Sequence, residues 1–227
     1  MSQQLSNTQV NVLNAGYVRL VDSMGSDLSI VRAARVSYDA EPREDGRDDK
    51  LIGYLLRNKH TSPFESVVFT FEVQAPIFVF RQWHRHRTWS FNEVSARYSE
   101  LPEQYYVPEI EQITTQSDSN KQMRTNKYNP QSAVIAKAIE ETSAAAFVQY
   151  KKLLALGTPR ELARCVLPVG TYSRMFATVD LHNLLHFLRL RLHEHAQYEI
   201  RVYAEAILQL IEPLLPVTMR YFKETLE

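Results

Sequence analysis

The sequence predicts an α+β fold, and three observations carry that expectation. Residues 10–21 hold Val10, Val12, Leu13, Tyr17, Val18, Leu20 and Val21, which is strand composition broken near Asn14 and Gly16. Residues 66–73 alternate, with Val67, Phe69, Phe71 and Val73 set against Val68, Thr70 and Glu72. Beyond residue 130 the apolar spacing is mostly helical. Strand, helices, strand and then mostly helix is not the regular alternation of a parallel βαβ sheet.

The elements follow in order. Asp27 is placed to cap a short helix through about Val36, and Asp48 another through about Arg57 that carries Leu51, Ile52, Leu55 and Leu56. The charged segment 39–49 between them reads as a loop. Pro76 ends the second strand, and Ile77 to Trp83 reads as a helix with proline at its start. Residues 100–130 are polar, with Thr114 to Asn120 at their centre, and read as a long surface loop of the kind that often carries function. A long helix is expected over 131–156, closed by Gly157. Thr158-Pro159-Arg160-Glu161 reads as a capping box that starts a short helix ended by Pro168. A last long helix is expected from Asp180 to about Ile211, with Leu181, Leu184, Leu185, Leu188 and Leu192 as its apolar stripe.

Composition removes several function classes. The 227 residues carry 26 basic and 26 acidic side chains, so the net charge is zero and a protein that coats nucleic acid is not expected. At this length a single domain is expected. The most apolar stretch, Val67 to Phe80, is broken by Glu72, Gln74 and Pro76 and is too short to span a bilayer. No basic segment followed by an apolar core opens the chain, so no signal peptide is expected. The one cysteine, Cys165, suits a reducing cytoplasm and rules out a disulfide framework. Its apolar neighbours suggest a buried structural thiol rather than a nucleophile. The six glycines are scattered, so no glycine-rich phosphate loop exists, and a bound nucleotide must be held mainly by side chains.

Two windows hold all seven histidines: His60, His84 and His86, then His182, His186, His193 and His195. In the first, residues 81–97 carry four arginines against one acid, interleaved with aromatic and small polar residues. Arginine forks suit phosphate oxygens, and Asn, Ser and Glu suit ribose hydroxyls and base edges. An RNA-binding strip over 81–98 is the competing reading, because aromatics between arginines also stack bases. A neutral chain favours a small nucleotide over a polymer. In the second window His182 and His186 share a helix face with Arg189 and His193. The pair lacks the glutamate of a zinc-binding HExxH and any cysteine partner, so a ligand-facing stripe is expected and no metal.

Arg85-His86-Arg87 followed after seven residues by Ser95 resembles the RHRx7S signature of the flavin-dependent thymidylate synthases, the ThyX family. Gln82-Trp83 before it, Asn92-Glu93 and Arg97-Tyr98 after it, His60-Thr61-Ser62-Pro63-Phe64-Glu65, Ala163-Arg164 with Leu167-Pro168, and Leu190-Arg191 with His195-Ala196-Gln197 and Glu199-Ile200 extend the match over roughly 50–200. The resemblance implies a ThyX-like antiparallel sheet flanked by helices, and a homotetramer with active sites built from more than one subunit. It implies FAD as cofactor, conversion of dUMP to dTMP, methylenetetrahydrofolate as carbon donor and NADPH as reductant. By similarity Gln82, Trp83, His84, Arg85, Glu93, Val94, Ser95, Ala96, Arg97, Arg164 and Arg191 are expected at dUMP. His60, Ser62, Arg85, His86, Arg87, Glu93, Asp180, His182 and His186 are expected at FAD. Asp180 and His182 stand where the family often has Asn and Arg. A relative that keeps the fold but has lost the flavin is the alternative within the family.

The expected chemistry has a physical logic. Methylation at uracil C5 needs that carbon to act as a nucleophile, and the chain has no well-placed cysteine to add at C6. A reduced flavin is the alternative activator. The resemblance makes Arg191 the catalytic residue, its guanidinium at the N3/O2 edge of the pyrimidine favouring the ionised form. Ser95 is expected to bind dUMP rather than attack it, since no base partner follows from the sequence.

Overall fold

The structure is a computed structural model that describes residues 9–38 and 46–226. Strands β1 (Gln9–Val12) and β2 (Gly16–Met24) form a hairpin and are followed by helices α1 (Asp27–Arg35) and α2 (Arg47–Arg57). A 3-10 turn, Ser62–Ser66, leads into β3 (Val68–Pro76), α3 (Ile77–Trp83) and β4 (Ser90–Glu93). A small hairpin, β5 (Thr114–Gln116) and β6 (Arg124–Tyr128), precedes α4 (Ser132–Ala155) and the short α5 (Arg160–Ala163). Strand β7 (Tyr172–Asp180) then runs into α6 (Leu181–Arg191), α7 (Tyr198–Ile211) and α8 (Pro216–Glu224). The main sheet is antiparallel throughout, in the order β1-β2-β3-β7-β4.

The sheet has two unlike faces. Val18, Leu20, Phe69, Phe71, Val73, Met175, Ala177 and Val179 point into one core with Trp83, Phe187, Tyr203 and Phe222 from the helices. Gly16 permits the closest approach there: a Cβ on it would lie 2.0 Å from the Tyr203 hydroxyl, which donates to the Gln74 carbonyl at 2.8 Å. The other face presents Tyr17, Arg19, Thr70, Arg174, Phe176 and Thr178, with Thr70 and Thr178 hydrogen-bonded across β3 and β7. Glu72 is buried on that face and receives Tyr17 Oη at 3.0 Å, Arg19 and, at 3.4 Å, Arg174. Among the described residues no helix is long and apolar enough to cross a membrane.

Several expectations need correction. Residues 39–45 of the charged loop lie outside the described residues. The loop over 100–130 contains the β5–β6 hairpin. The last long helix is two, broken over 192–197, because α6 packs beside β7 and the 62–66 turn while α7 packs across β1 and β2. Strand β7, which pairs along its whole length with β3 and more briefly with β4, is not among the expected elements; its outward Arg174, Phe176 and Thr178 dilute the apolar alternation. Asp27 does not cap α1, where Ser26 and Ser29 meet at the N-terminus (Ser26 N donates to Ser29 Oγ at 3.0 Å). Its carboxylate instead accepts Val217 N at 2.9 Å and Thr218 N at 3.1 Å at the start of α8. Gly46 caps α2, and Asp48 pairs with Arg35. Pro159 rather than Thr158 precedes α5, with no side-chain cap. Cys165 is exposed, because the 3-10 turn 164–166 turns it away from the small Phe147–Tyr150–Ala163 core.

Candidate active site

Helix α6 builds the centre of the site. Leu181, Leu184, Leu185, Phe187 and Leu188 face the core, so the intervening face carries His182, His186 and, beyond them, Arg189 and Arg191 outward. The two histidines form a ridge between adjoining cavities. The cavity on the α3 side measures about 620 Å³ and is lined by Arg85, His86, Arg87, Thr88, His182, Asn183, His186, Leu190 and Arg191.

 The adjoining cavity, on the α2 side of the ridge, measures about 220 Å³ and is lined by Leu55, Leu56, Lys59, His60, Thr61, Phe64, His182, Leu185, His186 and Arg189.

The RHR segment reaches this site because aromatic side chains anchor it from below. Trp83 is 0% exposed, stacks on Phe187 at 5.0 Å and meets Trp89 edge-on at 5.7 Å. With Trp83, His86 and Trp89 held inward, Arg85, Arg87 and Thr88 are turned out. Among the described residues neither Arg85 nor Arg87 is paired with a carboxylate, so two guanidinium groups stand free at the 620 Å³ cavity. That is an anion-binding arrangement. His84 leaves the cavity and packs against Phe91 at 4.8 Å.

His86 and Arg191, 105 residues apart, meet at the base of the cavity. Arg191 Nε donates to His86 Nε2 at 3.0 Å, and Arg191 Nη2 donates to the Gln82 carbonyl at 3.4 Å. An accepting Nε2 requires a neutral imidazole with its proton on Nδ1. Burial, the Arg191 charge and the nearby His186 together push the His86 pKa down to about 4. Burial also lowers the pKa of Arg191.

The other expected ligands lie elsewhere. Ser62 begins the 62–66 turn, but its neighbour Thr61 is the residue that lines the 220 Å³ cavity. The Asp180 carboxylate caps α6, accepting Asn183 N at 3.0 Å and Asn183 Nδ2 at 2.6 Å, so it is already engaged. Trp83 is enclosed in the core, which leaves only its main chain for a nucleotide. Glu93 accepts Ser173 Oγ at 2.7 Å, and Val94 N donates to the Arg174 carbonyl at 2.8 Å. Ala96 is buried, and Ser95 Oγ accepts Arg97 N at 3.3 Å. No base touches the Ser95 hydroxyl among the described residues. Arg97 pairs with Glu161 at 3.6 Å, while Arg164 Nε donates to the Glu161 carbonyl at 3.4 Å. Arg97 and Arg164 therefore form a second basic cluster, around Glu161, and neither lines the 620 Å³ cavity.

Sequence reasoning missed Lys59, Thr61, Thr88, Asn183 and Leu190 as lining residues. Each is next to, or one helical turn from, a residue that it did find, so adjacency was the available signal. Among the described residues no three His, Cys, Asp or Glu side chains converge on a metal-sized site.

Comparison with known proteins gives a consistent picture. A family profile described as thymidylate synthase complementing protein matches residues 19–217. A flavin-dependent thymidylate synthase from Treponema denticola is 48% identical over 217 residues, covering 95% of this chain and 82% of the relative. One from Thermus thermophilus is 47% identical over 217 residues, covering 96% and 79%. The solved structure of the UMP/dUMP methylase PolB from Streptomyces cacaoi, bound with 5-Br dUMP, matches with a TM-score of 0.86 at 38% identity. That match covers 95% of this chain and 97% of the other.

Proposed function

The chain belongs to the thymidylate synthase complementing protein family, and from that premise we propose that it is an FAD-dependent thymidylate synthase. It converts dUMP to dTMP, with methylenetetrahydrofolate as carbon donor and NADPH as reductant. The observation that carries this reading is the convergence of unpaired Arg85 and Arg87 with His86, His182, His186 and Arg191 around one cavity.

The donor set fits FAD. Arg85 and Arg87 supply positive charge for a diphosphate, and His60, His182 and His186 offer N–H donors and flat faces across the two adjoining cavities. Flavin, when bound, supplies the redox chemistry and an aromatic surface for the pyrimidine. Asp180, engaged as the cap of α6, bears on that helix rather than on the cofactor directly, so its departure from the common family residue leaves the donor set intact.

The protein's own groups then have separable tasks. Arg191 is held at one end by neutral His86 and the Gln82 carbonyl, which leaves Nη1 to face the N3/O2 edge of the pyrimidine. There it favours the ionised ring and stabilises charge developing in the transition state. Ser95, Arg97 and Arg164 take the nucleotide's phosphate and sugar. Those residues lie outside the Arg191 cavity, an arrangement that suits the shared sites the family resemblance implies. The homotetramer itself rests on the family resemblance. An exposed Cys165, outside the cavity, suits a reducing cytoplasm and takes no part in the reaction. The RNA-strip reading is weakened because Trp83 and Trp89 are buried and only Tyr98 stands well exposed among the strip's large aromatics.

The test is the visible spectrum of the purified protein with and without added FAD, followed by a dTMP-formation assay. Retained flavin bands that bleach with NADPH, and dTMP formed from dUMP, are the expected result. Folded protein that retains no flavin under either condition overturns the proposal. UMP belongs in the same assay, because the PolB structure is described as a UMP/dUMP methylase.

A further inference from the structure

A chain of polar side chains runs from the buried end of α7 to Gln82. Glu199 is 3% exposed and lies at the first turn of α7. Its carboxylate receives Arg124 Nη2 at 2.6 Å on each oxygen and Tyr106 Oη at 3.0 Å. It also receives Gln197 Nε2 at 2.7 Å. Burial works to raise its pKa, but the hydrogen bonds and charge of Arg124, helped by Gln197, outweigh that and hold the group ionised. The oxygen at the far end of the Gln197 amide, Oε1, accepts Gln82 Nε2.

This order has only one polarity. An ionised carboxylate accepts hydrogen bonds and donates none. Gln197 must therefore turn its NH2 toward Glu199 and its oxygen toward Gln82. Gln82 must in turn give an N–H to Gln197. Among the described residues the Gln82 Oε1 has no partner, and one N–H of its Nε2 is also left over. Without the relay the Gln82 amide has two nearly isosteric flips, which present opposite hydrogen-bonding groups.

We infer that Gln197 is a positioning residue for dUMP, which, anchored by Glu199, fixes the Gln82 amide in one flip and so determines which of its atoms are left for the nucleotide. The inference rests on the proposed function and on Gln82 as a dUMP contact. It also gives the β5–β6 hairpin a task. Arg124 of β6 secures Glu199, so the hairpin supports the relay that ends at Gln82.

The test is a double-mutant cycle in the flavin-loaded enzyme with Gln197→Met, Gln82→Met and both together. Gln197 is exposed, and its side chain caps no helix, so its replacement leaves the fold intact. Gln197→Met is expected to raise KM for dUMP about three- to tenfold, the worth of one hydrogen bond, with kcat within about twofold and the flavin spectrum unchanged. The double variant is expected to be no worse than Gln82→Met alone, since Gln197 acts only through Gln82. A purely structural role for Gln197 would instead multiply the two effects. An unchanged KM in Gln197→Met, or multiplied effects in the double variant, overturns the inference while wild-type dTMP formation stands. Wild-type protein that neither binds dUMP nor forms dTMP overturns the proposed function, and this inference with it.

Discussion

The contact between Arg191 and His86 sets two expectations at the scale of single residues. Replacing Arg191 with alanine removes the cation proposed to face the pyrimidine but leaves Arg85, Arg87 and the α6 histidines at the proposed cofactor cavity. Turnover should fall at least about 100-fold with flavin absorbance largely retained; near-normal dTMP formation would refute the role. His86 makes stability depend on pH. Its folded pKa of about 4 lies below the ordinary 6.5, so between those values the unfolded chain binds the extra proton and the native state does not. Its contribution is therefore fully present above pH 6.5 and is lost as pH falls toward 4, by an amount on the order of 2–3 kcal/mol. Urea denaturation at pH 7 and pH 5 should show the drop, and His86→Asn should flatten it. An equally steep profile in the variant would assign the effect to another group.

At the scale of elements, the linkage between α1 and α8 is the most exposed to a single change. The Asp27 carboxylate holds the free N–H groups of Val217 and Thr218 and also accepts Thr218 Oγ1 at 2.5 Å. It thereby does for α8 what an N-cap residue does, from 190 residues away in sequence. Asp27→Ala leaves those donors unpaired next to buried Thr218 and Met219 and should cost about 2 kcal/mol. Thermal unfolding checks the size, and hydrogen exchange should show α8 losing protection first. Sequence pattern places Asp27 at a helix start but assigns it to the wrong helix, because capping depends on which N-terminus the carboxylate reaches in space. The same limit explains Asp48, which a local reading makes a cap and the fold makes a partner of Arg35.

At the scale of the whole molecule, the two sheet faces divide the labour. The helix-covered face supplies the core from which α3 and α6 carry the proposed cofactor cavity. The open face leaves Phe176 44% exposed beside Arg174 and Asn92, with Val94 also exposed. Phe176 and Val94 are an apolar spot on an otherwise polar sheet face, and this spot is the contact expected for another copy in the proposed oligomer. Phe176→Asp should fold normally and run as a smaller species than the proposed oligomer in light scattering, with activity falling as the proposed shared sites separate. A wild-type mass for the variant would remove this face from the assembly.

Much of the site was legible because its chemistry is encoded locally. The arginines of 81–97, the His182–His186 spacing and the leucine stripe of α6 are short-range patterns, and short-range periodicity determines which residues share a face. The α+β class followed from the same patterns. Tertiary structure alone decided the rest. It turned Trp83 and Trp89 inward to anchor the arginines, and it brought Arg191 to His86 and Gln197 to Gln82. It made β7 a sheet strand between β3 and β4 and broke the final helix over 192–197. These outcomes depend on pairings between segments far apart in sequence, 105 residues for Arg191 with His86 and 115 for Gln197 with Gln82. Which donor meets which acceptor across such distances is settled by how the elements pack, and no local spacing records it.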